Sequence, residues 1–357
     1  MRARELGLYF GPLPTGKNNA ITDVPGVTVG HISLIWGQGQ LNPGQGPVRT
    51  GVTAILPHSG NLYTQKCPAA FYPYNGYGKS IGTIYVDELG ICENPILITN
   101  TLSVAACLEG GLDWVLNHNP GVGIWERTPN ILVFECDDSY LNDIRGRHVK
   151  PEHAVAAIAN ARGGPVQEGN VGAGVGMSSY DFKSGVGTSS RIVSTKLGTF
   201  TVGILMVSNF GERKDLIIKG VPIGLLMPYQ PSHPEKNSNI TVVATNAPLD
   251  ARQLKRLAKR ALLGLGKVGN ICRHGCGNLV LAFSNAPWTN PKAPMEPVES
   301  GDNINPLFEA VVDASEEAML NNLFQAETMI GANNRVREKV PIDKVLELLK
   351  QPRIFKN

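Results

Sequence analysis

Two rhythms of apolar and polar positions run along this chain of 357 residues. Short runs of β-branched and aliphatic residues, each closed by glycine, proline or asparagine, recur from end to end: GVTVGHISLIWG, RTGVTAILP, GTIYVDELG, NPILITNT, NILVFEC, FTVGILMVSNFG, NITVVATN and GNLVLAFSNA. Strands punctuated in this way predict large sheets. ITVVAT has almost no polar position, the pattern of a strand covered on both faces. The second rhythm is helical and is clearest in LDARQLKRLAKRALLGLG, where Leu254, Leu257, Ala258, Ala261 and Leu262 share a face. Asp250 is its expected N-cap and Gly264 its expected stop. Another helix is predicted from about Asn305 to Thr328, with Leu307, Phe308, Val311, Val312, Met319, Leu323 and Phe324 facing the core. A third lies in PEHAVAAIANARGG and ends at Gly163-Gly164. Strands and helices do not alternate regularly, so the class is α+β rather than doubly wound.

Composition narrows the partners. With 42% hydrophobic and 18% charged residues, the chain buries a large core as one large domain or two. Its formal charge of +3, from 33 basic and 30 acidic residues, is too balanced to draw a nucleic acid by bulk electrostatics. A small-molecule partner is expected. The six cysteines are scattered through a long chain, which reads as reduced thiols rather than a disulfide framework. No apolar signal segment precedes the first prolines, and runs such as VGILMV fall far short of the about 20 residues that cross a bilayer. The expectation is a soluble, cytoplasmic protein with no membrane partner.

One stretch raises a chemical question. The proline-rich segment LMPYQPSHPEKNS, residues 226–238, reads as an exposed loop, and it delivers Asn237-Ser238-Asn239 to the mouth of the buried strand. A serine there serves as an ordinary turn residue. The alternative is that the Asn237-Ser238 bond is cut. Ser238 then carries an α-amine, with an ordinary pKa of about 7.7–8.0, that acts as base for its own hydroxyl. Such a site needs no histidine, and the seven histidines form no Ser-His-Asp pattern.

The residues around this serine resemble a known family. NAITDVPGVTVGH, GPVRTGVTAI, GGPVQEGNVGAGVGM, GVGTSSRIVS, TVGILMVSNFGERKDL, KNSNITVVATNAPLDARQLKRLAKRALLGLG and ETMIGANN are similar, in this order, to the DmpA-type N-terminal-nucleophile aminopeptidases, peptidase family S58/P1, and most of all to its β-peptidyl aminopeptidases. The resemblance implies an α+β, four-layer αββα sandwich of the DmpA/ornithine-acetyltransferase kind. It also implies a single domain over 1–357 that cuts itself between Asn237 and Ser238 into 1–237 and 238–357. The processed pairs would assemble as a homo-oligomer, commonly a tetramer. The substrate implied is a short peptide, β-peptide or amino-acid amide, cleaved through an acyl-enzyme without cofactor.

Site residues follow from the same resemblance. Asn209, which otherwise reads as a turn cap before Phe210-Gly211, matches the donor to the oxyanion. Glu135, a costly carboxylate if its strand is buried, matches the anchor for the substrate's ammonium. Asp137 departs from the apolar or tyrosyl residue of relatives, and lies on the face of Glu135 if the strand continues. Together the two carboxylates would favour substrates with an additional positive charge; the plain alternative is a solvated aspartate in the turn CDDSY. Cys276-Gly277-Asn278 stands where the family carries a Ser-Gly-acid motif that orients the nucleophile's amine. A thiol is a weak donor and an amide is neutral, so Cys276 and Asn278 would support the amine less well. An uncut, binding or structural protein is the non-enzyme alternative this departure raises.

Other motifs read more plainly. GNVGAGVGM lacks the spacing of a dinucleotide loop; for its Gly172, Gly174 and Gly176 the family resemblance implies close backbone approach near the active site, which glycine permits. Cys272, His274 and Cys276 crowd into five residues without a second cluster, which does not match a zinc site. Arg252, Lys255, Arg256, Lys259 and Arg260 form a basic helix face, best read as solvated.

Overall fold

A computed structural model describes residues 1–228, 237–286 and 300–351, apart from the side chain of Asn237. In chain order it sets down β1 (Thr28–Trp36), β2 (Val48–Leu56), β3 (Cys67–Gly76), α1 (Thr83–Leu89), β4 (Ile91–Cys92), β5 (Ile96–Thr99), α2 (Val104–His118), β6 (Leu132–Glu135) and α3 (Pro151–Ala159). A short hairpin, β7 (Ser178–Ser179) and β8 (Phe182–Lys183), precedes β9 (Val186–Thr195), β10 (Gly198–Asn209) and α4 (Ile223–Leu226). Then follow β11 (Asn237–Thr245), α5 (Ala251–Lys267), β12 (Cys276–Ser284), α6 (Gly301–Phe324), β13 (Met329–Ile330), β14 (Val336–Arg337) and α7 (Ile342–Lys350).

Two sheets stack face to face. One runs β1-β2-β5-β6, the other β4-β3-β12-β11-β10-β9. Between them lies an apolar layer from Ile55, Ile96, Ile98 and Phe134 on the first sheet to Leu205, Val207, Ile240, Val242, Leu279 and Leu281 on the second. On the outside of the larger sheet, Ile204, Met206, Val243 and Val280 pack on Leu254, Leu257 and Ala261 of α5 and on Val311, Ala314 and Leu320 of α6. On the outside of the smaller sheet, Val52, Ala54 and Val133 pack on Val104 and Val115 of α2 and on Ala154 and Ile158 of α3. The result is the expected α+β sandwich of four layers, αββα. Strand β11 sits between β10, antiparallel, and β12, parallel, and its described side chains are buried on both faces, as the unbroken apolar run predicts.

Several elements differ from the sequence expectation. GTIYVDELG, read as a strand, is mostly α1, entered through a left-handed Gly82 and closed by a left-handed Gly90. The helix after β11 has Asp250 as its N-cap, in a capping box with Gln253. It does not stop at Gly264 but continues to Lys267. Gly264 instead lets α6 approach: a Cβ there would lie 2.4 Å from the Val312 carbonyl oxygen and 2.7 Å from the Ser315 Cβ. The helix expected over Asn305–Thr328 covers Gly301–Phe324, with Pro306 tolerated inside it. The third ends at Ala159, ahead of Gly163-Gly164. Of the proline-rich stretch, positions 229–236 lie outside the described residues.

Candidate active site

Alternation along β11 turns Ile240, Val242 and Ala244 toward the smaller sheet, and Ser238 shares their face. Its hydroxyl oxygen accepts a hydrogen bond from the Asp137 N–H at 3.0 Å and donates to the Cys136 Sγ at 3.0 Å. The Cys136 thiol is 3.5 Å from the Ser238 carbonyl oxygen, to which it donates. Cys136 and Asp137 follow β6 at once, so the end of the smaller sheet is pinned against the start of β11. Burial pushes the Cys136 thiol well above its ordinary range, leaving it a neutral neighbour of Ser238 rather than a reactive thiolate. Sequence reasoning passed over Cys136; only the packing of two separate strand ends reveals it.

A cleft of about 270 Å³ opens over Ser238, lined among others by Tyr77, Lys79, Thr101, Glu135, Asp137 and Gly277. Glu135 is buried, its Oε1 accepting from the Lys79 N–H at 2.9 Å and its Oε2 from the Thr101 hydroxyl. Burial raises its pKa above the usual glutamate range, while the donors from Thr101 and Lys79 act in the opposite sense. The Lys79 ammonium is drawn aside, 3.3 Å from the Tyr77 carbonyl oxygen and 4.9 Å from the Tyr77 ring centroid. Strand β6 ends at Glu135, so the strand continuation assumed for Asp137 is absent. Asp137 nonetheless lines the same cleft, where its Oδ1 caps the Ser139 N–H at 2.8 Å.

Asn209 ends β10 directly opposite Ser238 in the antiparallel register. Its Oδ1 accepts both the N–H and the hydroxyl of Ser178, each at 3.1 Å. Two donors on that atom settle which end of the amide is oxygen, so Nδ2 is turned away as a donor.

Across β12, Cys276 pairs with Asn237, Gly277 with Ser238, and Asn278 with Asn239. Gly277 is required by the fold, since a Cβ would lie 2.6 Å from the Gly78 nitrogen. Asn278 projects to the helix side of the sheet, opposite Ser238: its Oδ1 takes a hydrogen bond from Asn270 at 3.4 Å, just beyond α5. Its Nδ2 is buried without a partner among the described residues. Cys276 and Asn278 thus flank the strand end from beneath and take no place in the cleft lining.

The remaining motifs fall elsewhere. The glycine run approaches β2 and β9 closely: a Cβ on Gly176 would lie 2.3 Å from the Arg49 carbonyl oxygen and one on Gly174 2.5 Å from the Val186 nitrogen. On α5, Lys255 pairs with Asp87 at 2.6 Å, Arg260 covers the Phe308 ring and Lys259 lies over Tyr72. Part of the basic face is therefore engaged within the molecule, while Arg252 and Lys259 remain exposed. No group of metal-binding side chains occurs among the described residues, and none of their helices is long and apolar enough to cross a membrane.

This sandwich, with Ser238 the second residue of its inner strand β11, is the fold of N-terminal-nucleophile hydrolases. The chain belongs to peptidase family S58, whose profile matches residues 19–337. It is 42% identical over 372 aligned positions to a β-peptidyl aminopeptidase of Sphingosinicella microcystinivorans, covering 99% of this chain and 92% of that one. Its fold superposes on a Pyrococcus horikoshii protein at 48% identity with a TM-score of 0.92, over 98% and 99% of the two chains. The L-aminopeptidase D-Ala-esterase/amidase of Ochrobactrum anthropi, described as a variant of the Ntn hydrolase fold, matches at 35% identity and a TM-score of 0.85, over 98% of each chain.

Proposed function

We propose that this peptidase is an N-terminal-serine aminopeptidase that first cuts itself between Asn237 and Ser238, leaving 1–237 and 238–357 folded together. The observation that carries the reading is the convergence of the Ser238 hydroxyl and the Glu135 carboxylate on one cleft, at the only bond whose cleavage makes Ser238 a terminus. In the cut protein the freed α-amine takes the Oγ proton while Oγ bonds to the carbonyl carbon of the substrate's first amide. The oxyanion that forms is held by Nδ2 of Asn209, a contribution of about 2.7–4 kcal/mol for one preorganised donor. As the C–N bond breaks, the ammonium returns its proton to the departing amine. Water, activated by the same amine, releases the acyl group.

Glu135 would hold the substrate's ammonium at the rear of the cleft. Asp137, at the same wall, favours substrates with a second positive charge, such as a lysyl amino terminus. β-Peptides and amino-acid amides are substrates of the same chemistry. The reading extends to a homo-oligomer, a tetramer of processed pairs. Cys276 and Asn278 act from beneath the strand, where a neutral amide gives no charge to stabilise the ammonium; processing and turnover are expected to be slow for that reason.

Intact mass spectrometry of the wild-type protein beside Ser238→Ala tests the central step. Two chains meeting at Asn237/Ser238 in the wild type only are expected; a single uncut mass in both would overturn the N-terminal-nucleophile reading.

A further inference from the structure

The hairpin β7–β8 stands outside both core sheets, although Tyr180 and Phe182 pack into the helix-side core, and its turn is costly. Its two central residues, Tyr180 and Asp181, have φ of 55° and 58°, the left-handed region that an I′ turn demands and that glycine or asparagine normally supplies. Tyrosine is an unfavourable occupant. The turn is nevertheless locked: the Tyr180 N–H donates to the Phe210 carbonyl at 2.9 Å, its hydroxyl to the Val268 carbonyl at 2.7 Å, and its ring meets Phe210 edge-on. At the base of the hairpin the fully buried Lys183 ammonium donates to the carbonyl oxygens of Gly174 and Ser184.

Part of this locked hairpin bears on three consecutive residues, Ser208 and Asn209 at the end of β10 and Phe210 just beyond it. The Ser179 hydroxyl lies 3.2 Å from that of Ser208 and accepts the Phe210 N–H at 3.3 Å. The Ser184 hydroxyl donates to the Ser208 carbonyl at 2.8 Å. Between them, Ser178 gives both of its donors to Oδ1 of Asn209. Strain of this kind persists where the surroundings over-determine it, and commonly at functional sites.

We infer that Ser178 is a positioning residue for Asn209: its hydroxyl and N–H, fixed by the strained Tyr180-Asp181 turn, hold the Asn209 amide so that Nδ2 faces the substrate oxyanion. The role rests on the reading of Asn209 as oxyanion donor. Ser178 touches no substrate; it acts through the amide.

The test compares Ser178→Thr with Ser178→Val, which differ by a hydroxyl against a methyl at equal volume. Each is measured alone and with Asn209→Ala, as kcat and KM on an amino-acid anilide per cut Ser238 terminus. Ser178→Thr is expected within about twofold of wild type, and Ser178→Val is expected to lose about two- to tenfold in kcat with KM unchanged, the size of one hydrogen bond. In the Asn209→Ala background, itself lowered about a hundredfold or more, the two variants should be equal, because there is no amide left to position. Ser178→Ala, which adds no bulk, replaces the valine variant if that fails to fold. Equal kcat for the Thr variant and its hydroxyl-free counterpart, or the same loss with and without Asn209, overturns the positioning role alone. Full activity in Asn209→Ala overturns the oxyanion reading itself.

Discussion

The Ser238 hydroxyl and the Cys136 thiol are 3.0 Å apart, with the serine as donor. In this arrangement the hydroxyl proton is directed at the thiol, whereas the proposed mechanism requires its transfer to the freed α-amine of Ser238. Sulfur is a weak acceptor, so the bond orients the hydroxyl while releasing its proton readily. Cys136→Ala should leave kcat within about threefold of wild type, whereas Cys136→Ser, with a stronger acceptor, should lower kcat further than alanine does. Steady-state kinetics of the two variants decide it; the reverse order would mean that the thiol has no part in orienting Ser238.

Glu135 and Asp137 separate by substrate. Glu135→Gln removes the ammonium anchor and should raise KM about ten- to a hundredfold, the worth of a hydrogen bond to a charged group. Since burial lifts the Glu135 pKa, the ionised anchor is lost as pH falls through that raised value, and the acid limb of kcat/KM should sit above the ordinary glutamate range. In Glu135→Gln that contribution disappears, and the acid limb that remains is the one set by protonation of the Ser238 α-amine. Asp137→Asn should instead erase a preference for lysyl over alanyl amides while leaving alanyl turnover unchanged. Equal kcat/KM for the two substrates in the wild type would count against the role of Asp137.

Stability carries a pH signature from Asp138, whose carboxyl burial pushes up to about 8 while Thr50 and Asn142 partly offset the shift. Asp138 is therefore protonated when folded and ionised when unfolded between about 4 and 8. The unfolded state binds fewer protons there, so the contribution is complete below pH 4 and is lost as pH rises to about 8. His31 has the opposite sense: burial lowers it to about 4, so its contribution is complete above about 6.5 and is lost as pH falls toward 4. Urea unfolding across pH 4–8 should show Asp138→Asn gaining on the wild type as pH rises, and a parallel pair of curves would refute the assignment.

Gly264→Ala is expected to destabilise even though alanine is the better helix former. The added Cβ meets the backbone of α6 at 2.4 Å, and overpacking of this kind costs about 1–3 kcal/mol, more than the roughly 1 kcal/mol gained in helix propensity. Denaturant titration measures the difference.

That glycine also shows where the sequence stops being informative. Local pattern marks Gly264 as a helix end; only the approach of α6 gives its actual role. Apolar runs revealed β2, β5, β6, β10, β11 and β12 because those strands are covered and their pattern is unbroken. Strand β3 escaped notice because prolines interrupt it, one of them, Pro73, at the register shift opposite Leu279. The apolar pattern also left β9 unmarked, because Thr188, Ser189 and Ser190 are buried there with hydroxyls bonded to Ile204, Ala314 and Asp23. Tyr85 and Val86 gave α1 the look of a strand, which two left-handed glycines override. At the site, resemblance pointed to Ser238, Asn209 and Glu135 and passed over Cys136 and Ser178, because each of those two acquires its proposed meaning from a neighbour far along the chain.

The order of the larger sheet, β4-β3-β12-β11-β10-β9, has a last consequence. Every strand before Ser238 lies on the outside, and the pair β11–β12 is wedged between β3 and β10 by two ladders. A break ahead of Ser238 therefore severs covalent continuity without loosening the assembly, because neither half can leave until both ladders tear. Melting, however, would now release two independent chains where the precursor releases one. The midpoint of the cut form should climb with protein concentration, and its refolding should become a second-order encounter, so that recovery after melting would depend on dilution as it does not for the uncut chain.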